Sequence, residues 1–173
     1  MSKISGAYRG ATAGAALVAL VITGWAAAPA LAYAQRQNIE NDMARCSSGT
    51  GPAIQVDISG FEGATGTVRV QSYPATRSAW LEKGAWINRI EAPVKLVNGK
   101  MSFCVPLPAS GRYGIAVRHD TNGNGKTDLS RDGGGFSNNP PVSIFNLGKP
   151  TVEKAAVTVG NAPVTISISL QYM

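Results

Sequence analysis

Val164-Thr165-Ile166-Ser167-Ile168-Ser169-Leu170-Gln171-Tyr172, at the end of the chain, alternates an apolar side chain with a polar one without interruption. Side chains of an extended strand point to opposite faces in turn, so this pattern reads as a strand with one buried and one solvated face. Working outward from it, the same signature recurs. Ile54, Val56 and Ile58 alternate with Gln55, Asp57 and Ser59, and Val68 and Val70 alternate with Thr67, Arg69 and Gln71. A run from about Trp86 to Leu96 leads into Asn98-Gly99, after which Met101, Phe103 and Val105 alternate. Asn-Gly between two such runs predicts a tight hairpin, because both residues tolerate the positive φ that the turn demands. Tyr113, Ile115, Val117 and His119 share one face of a further strand, and Val157 and Val159 mark another.

Seven or so short strands, each apolar on one side, have to cover those sides with a second sheet, so the expected architecture is all-β: a single antiparallel β-sandwich over residues 52–173. A small closed barrel is the alternative. An outer-membrane barrel fits poorly, since it needs strands of about ten residues and aromatic girdles, and aromatics make up 7% of the chain. Helical periodicity is nearly absent. Thr76 to Lys83 lacks alternation and suits a single helical turn or an irregular crossover.

The 173 residues are 44% apolar and 15% charged. That is one domain's worth of chain, too apolar for wholesale disorder and too sparsely charged for a coiled coil. Lys3 and Arg9 precede an uncharged stretch from Gly10 to Gln35 with an apolar centre, Ala11 to Ala28, and Pro29 follows. The pattern is that of an export signal over residues 1–32, with small residues allowing a cut after Ala32 or Ala34. The stretch is mostly Ala and Gly, which favours a cleaved signal over a retained anchor, so no stable membrane span is expected after cleavage. Cys46 lies too far past the apolar run to carry an acyl anchor. A periplasmic or secreted location follows, with a polar arm over residues 33–51 leading into the domain.

Export gives the two cysteines, Cys46 and Cys104, a meaning: in an oxidising compartment they are expected to pair. Closing so long a loop stabilises a fold by about 4 kcal/mol on chain-entropy grounds. The remaining basic residues are scattered singly, so no nucleic-acid partner is expected; the expected partner is an unidentified envelope or extracellular ligand.

One loop carries chemistry. His119-Asp120-Thr121-Asn122-Gly123-Asn124-Gly125-Lys126-Thr127-Asp128 places oxygen-bearing side chains at every second position. Asp120, Asn122 and Asn124, then Gly125, reproduce the first half of a Ca²⁺ loop of the form D-x-[DN]-x-[DN]-G. Counting from Asp120, the Lys126 carbonyl stands at position seven and Asp128 at nine. Position twelve is Arg131, where the usual loop has a bidentate Glu; Asp132 is the nearest substitute. No helices flank the loop, so a helix–loop–helix sensor is excluded. The expected cofactor is Ca²⁺, held weakly, roughly 10⁻⁴ to 10⁻³ M, with Asp120, Asn122, Asn124, Lys126, Asp128 and Asp132 as candidate ligands and Gly125 making the turn. The other reading is a metal-free loop whose Asx side chains cap their own backbone. Both stay open at this point.

His119 next to Asp120 invites a catalytic reading, but neighbours on a strand point apart, so Asp120 cannot orient the ring as a triad acid does. No nucleophile elbow is present. A supporting role for His119 at the mouth of the loop is the expectation; a calcium-assisted hydrolase with His119 as base, or a purely structural envelope protein, are the other classes. Trp80 and Trp86 form either a core plug or a carbohydrate platform, and Gly133 to Gly135 a flexible loop or an anion-holding nest.

The segment Gly111-Arg112-Tyr113-Gly114-Ile115-Ala116-Val117-Arg118-His119-Asp120-Thr121-Asn122-Gly123-Asn124-Gly125-Lys126-Thr127-Asp128, with Gly135-Phe136-Ser137-Asn138-Asn139, resembles the bacterial domain of unknown function 2141 family. In that family a Tyr-containing strand runs into His-Asp-x-Asn-x-Asn-Gly and later into Gly-Phe-Ser-Asn-Asn. The likeness extends to Val56–Gly60 and Gly66–Tyr73. It implies a secreted or periplasmic β-sandwich similar to prealbumin-like carrier modules, with no assigned activity and no catalytic residues to carry over. His119, Asp120, Asn122, Asn124, Gly125 and Asp128 fall on the family's signature positions. The stretch Asp132 to Gly135 is shorter here than in many relatives.

Overall fold

The computed structural model describes residues 36–141 and 148–173. The expected export signal, 1–32, lies outside the described residues, as does the start of the polar arm. Among the described residues, nine strands and two single-turn helices follow in chain order: β1 (Gln37–Asn38), α1 (Ala44–Ser47), β2 (Ala53–Ser59), β3 (Thr67–Pro74), β4 (Asn88–Pro93), β5 (Met101–Pro106), β6 (Gly111–Asp120), β7 (Gly133–Phe136), α2 (Val152–Ala155), β8 (Ala156–Val159) and β9 (Val164–Ser169).

They form two sheets. The larger runs β1-β4-β3-β6-β7, with β8 also paired to β6; the smaller runs β5-β2-β9. Neither closes into a barrel. Nor are they purely antiparallel, which corrects the expectation from sequence. β2 and β9 pair in parallel, Ile54 opposite Val164 through to Ser59 opposite Ser169, and β1 pairs in parallel with β4. Apolar–polar alternation tells which face of a strand is buried; it carries no information about the direction of its neighbour.

The Asn98-Gly99 turn forms as expected, both residues at positive φ, 50° and 74°, closed by a bridge between Val97 and Lys100. The two strands it joins do not pair with each other, however. β4 pairs with β3 in the larger sheet and β5 with β2 in the smaller. Beyond Pro93, which has no N–H for a ladder, the Val94 N–H turns to the Gly66 carbonyl at 3.1 Å, and the chain leaves one sheet for the other.

The apolar faces of both sheets contribute to one core cluster. Val68, Val70, Ile90, Ile115 and Val117 come from the larger sheet, and Ile54, Val56, Ile58, Phe103, Val105 and Ile168 from the smaller. A second cluster, Tyr73, Trp80, Trp86, Val152 and Ala155, includes both described tryptophans. Trp80 lies edge-on to Tyr73 and Phe136 and donates its indole N–H to the Pro150 carbonyl at 2.8 Å. Its ring rests where Gly114 has no side chain; a Cβ there would come within 2.3 Å of it. Both rings are buried, which is the core plug rather than an open carbohydrate platform. Thr76 to Lys83 is a series of turns, the irregular crossover of the two options.

Gly133-Gly134-Gly135 is neither a flexible loop nor a nest: it is most of strand β7. Added Cβ atoms would strike the Tyr172 ring at Gly133 and the Ile168 side chain at Gly135, both within 2.5 Å. These glycines let the end of the chain pack directly against the strand backbone. The sequence signal looked like loop because Gly also marks close approach.

The arm is built into the domain at several points. Cys46 and Cys104 are joined in a disulfide, with Cα atoms 5.7 Å apart. Asn41 donates to the Ser102 carbonyl and accepts the Cys104 N–H, each at 3.0 Å, and β1 lies along β4.

Candidate functional site

β6 is ten residues long and serves two partners on one edge. Gly111–Gly114 pair with β8, and Ala116–His119 pair with β7. Its last residues, His119 and Asp120, are both buried but point apart, as adjacent strand residues must.

His119 faces the core side and is fully enclosed. Its Nε2 lies 2.7 Å from the Thr65 carbonyl oxygen and its Nδ1 lies 2.6 Å from the Tyr172 hydroxyl. A carbonyl can only accept, so in the neutral ring Nε2 carries the hydrogen and the Tyr172 O–H donates to Nδ1. The Tyr172 oxygen in turn accepts the Glu62 N–H at 3.1 Å. Burial, first, holds the Tyr172 phenol above its usual range. Phe61 and Tyr172 both stand edge-on to the imidazole. Neither ring nitrogen is left to take a proton from a substrate.

Asp120 opens the loop on the other face. Its Oδ1 accepts the Asn124 N–H at 3.2 Å, and its Oδ2 accepts the Gly125 N–H at 2.8 Å and an Arg118 guanidinium N–H at 3.3 Å. The Asn122 side-chain oxygen accepts the Asn124 N–H at 3.1 Å, and that of Asn124 accepts the Lys126 N–H at 2.7 Å. These are Asx turns, the short-range bonds by which Asn and Asp shape their own backbone. The two amide nitrogens converge on Asp128 Oδ2, at 3.0 Å from Asn122 and 2.7 Å from Asn124. Those bonds hold the half-buried Asp128 below the usual carboxylate range. Asp132 closes the loop by accepting the Thr121 N–H at 3.3 Å and the Asp128 N–H at 3.0 Å.

The structure therefore brings Asp128 together with Asn122 and Asn124. Asp120 and Asp132 each gather backbone donors at the two ends of the loop instead, and Lys126 takes part through its N–H. Among the described residues no group of three or more His, Cys, Asp or Glu side chains converges. The loop fits an ion only if the Asn122 and Asn124 amides exchange nitrogen for oxygen toward Asp128.

Reasoning from sequence missed the partners that explain the second motif. Ser137 is buried and lies between β6 and α2: its hydroxyl accepts the Ile115 N–H at 3.0 Å and donates to the Ala155 carbonyl. Asn138 and Asn139 adopt the left-handed conformation, φ 64° and 48°. Asn138 donates to the Lys154 and Ala156 carbonyls. Asn139 clasps β9, donating to the Ser167 carbonyl at 2.9 Å and accepting the Ser169 N–H at 2.8 Å. It thus ties the end of β7 in one sheet to an edge of the other. Two adjacent Asn residues after a strand are a legible sign of left-handed backbone, but not of what they hold.

The fold and site define a two-sheet β domain whose polar motifs are hydrogen-bonded into the architecture. The chain matches, over residues 56–167, the family described as "Uncharacterized protein conserved in bacteria (DUF2141)", and it belongs to that family. Neither a curated protein nor a solved structure matches it significantly. Among the described residues no helix is long and apolar enough to cross a membrane.

Proposed function

We propose that this protein is an exported, non-catalytic β-sandwich module of the cell envelope or its exterior, which binds a ligand rather than transforming one. The observation that carries the reading is the state of His119: enclosed, with both nitrogens committed to Thr65 and Tyr172. A hydrolase using this residue as base needs a nitrogen facing a cleft. The two sheets sharing one core support the sandwich and its likeness to carrier modules, and the disulfide supports an oxidising compartment.

Within this proposal the Asp120–Asp132 loop is a weak Ca²⁺ site. Asp120, Asp128 and Asp132 supply the charge, Asn122, Asn124 and the Lys126 carbonyl the neutral oxygens, and Gly125 the turn. Hard oxygen donors suit Ca²⁺ over transition metals. Ca²⁺ would neutralise the carboxylates and fix the loop's outer surface. Thermal unfolding of resin-decalcified protein, with and without millimolar CaCl₂, tests this. The melting temperature rises with Ca²⁺ in the native protein and stays unchanged in Asp120→Ala. Identical melting of the decalcified and calcium-loaded native protein overturns the calcium reading.

A further inference from the structure

The outward face of the larger sheet carries an arginine cluster that the loop motif does not account for. Strand parity places Arg89 and Glu91 of β4, Arg69 of β3 and Arg118 of β6 on this face. The register sets Glu91, Arg69, Arg118 and Gly134 side by side in one row across four strands. Arg69 and Arg118 are directly opposed, an arrangement that disfavours folding unless the charges are compensated. All three arginine side chains are half-buried, 24%, 26% and 16% exposed for Arg69, Arg89 and Arg118.

Compensation is incomplete. Glu91 bonds Arg69 and reaches Arg89 at 4.0 Å. Asp120 reaches Arg118 at 3.3 Å, but its oxygens also serve the Asn124 and Gly125 N–H groups. Three guanidinium groups thus share two carboxylates, and Arg118 turns to neutral acceptors as well, donating to the Thr127 hydroxyl at 2.9 Å and the Gly125 carbonyl at 3.3 Å. The Nε atoms of Arg89 and Arg118 are buried and have no acceptor among the described residues. Arg89 lies over the Trp86 ring, 4.3 Å from its centroid, and so is fixed in place by stacking. A cavity of about 190 Å³ opens between Arg69 and Arg118, bounded by Thr67, Glu91, Asp120 and Gly125. Beside Arg118, a side chain on Gly134 would meet nothing within 4 Å.

We propose that this cavity is an anion site, in which Arg69 and Arg118 take a phosphate or carboxylate group of a ligand, while Arg89, held on Trp86 and sharing Glu91 with Arg69, adds positive charge behind them. Planar guanidinium forks match paired oxygens of such groups, and the ligand supplies the negative charge that the two carboxylates leave uncompensated. Glu91 and Asp120 limit the site to a small, well-placed group rather than a broad polyanion. The cavity shares Asp120 and Gly125 with the loop, so its anion binding is measured without Ca²⁺.

The test uses resin-decalcified ¹⁵N-labelled protein. The arginine Nε–Hε signals are followed during titration with inorganic phosphate, and separately with glucuronate, at ionic strength held constant with NaCl. One or both probes shift the Arg69 and Arg118 signals along a saturable curve, and the tighter probe assigns the acidic group. Arg69→Gln weakens that binding about tenfold or more, whereas Asn124→Ala in the loop leaves it within about twofold. Shifts no larger than those produced by chloride, or an Arg69→Gln variant that titrates like the native protein, overturn the proposal.

Discussion

At the scale of single residues, the chemistry of the His119 motif is that of a buried polar network. A histidine inside a core costs free energy unless both nitrogens are paired, and here Thr65 and Tyr172 pair them. Tyr172→Phe removes the hydroxyl that serves both Nδ1 and the Glu62 N–H. It is expected to cost about 1–3 kcal/mol in chemical denaturation; an unchanged midpoint would mean the network is not what holds the chain's end. The same hydroxyl gives a pH signature. Because burial holds the Tyr172 phenol above 10.0, the stability it contributes is fully present below that pH and is lost as the pH rises through the raised value. Native protein therefore weakens on the alkaline side, and Tyr172→Phe loses part of that dependence. That His119 and Asp120 point apart was legible from strand parity alone. The identity of their partners was not, since Thr65 and Tyr172 lie 54 and 53 positions away.

At the scale of elements, the faces of the strands were readable and their pairings were not. The alternation in Val164–Tyr172 and Ile54–Ser59 set which side chains enter the core, and the structure agrees in burying Ile54, Val56, Ile58, Ile168 and Leu170. That these two segments lie side by side in parallel is decided by the path of the intervening chain. The Asn98-Gly99 turn was legible because it is local; the separation of its strands into different sheets was not, because it depends on partners supplied by β2 and β3. The Asn139 clasp belongs to this scale. Asn139→Ala leaves the Ser169 N–H and Ser167 carbonyl of β9 without their side-chain partners, and is expected to lower stability by about 1–2 kcal/mol. Amide exchange at Ser169 should accelerate in the variant more than exchange at Ile58 in the interior of β2; equal acceleration at both would point to global loosening and count against a local tie between sheets.

For the whole molecule, the disulfide is the longest-range constraint that the composition anticipated. It joins α1 of the arm to β5 of the smaller sheet, while β1 of the same arm extends the larger sheet. Paired substitution Cys46→Ser/Cys104→Ser is expected to lower unfolding free energy by about 4 kcal/mol, measured under non-reducing conditions against the native protein. A loss under about 1 kcal/mol would mean that the hydrogen bonds of Asn41 and the β1 pairing already hold the arm without the covalent link. The arginine face emerges only at this scale: Arg69, Arg89 and Arg118 are scattered singly along the sequence and become one cluster when β4, β3 and β6 are laid side by side.

The sequence by itself determined the β class, the half-buried faces, the cysteine pair and the polar loop, because each rests on interactions between near neighbours or on the only pairing available. Only the tertiary structure decided the parallel pairs, the strand formed by Gly133–Phe136, the enclosure of His119 and the gathering of the arginines. Those features arise from contacts between residues far apart in the chain, and local pattern places no constraint on which distant segment supplies the partner.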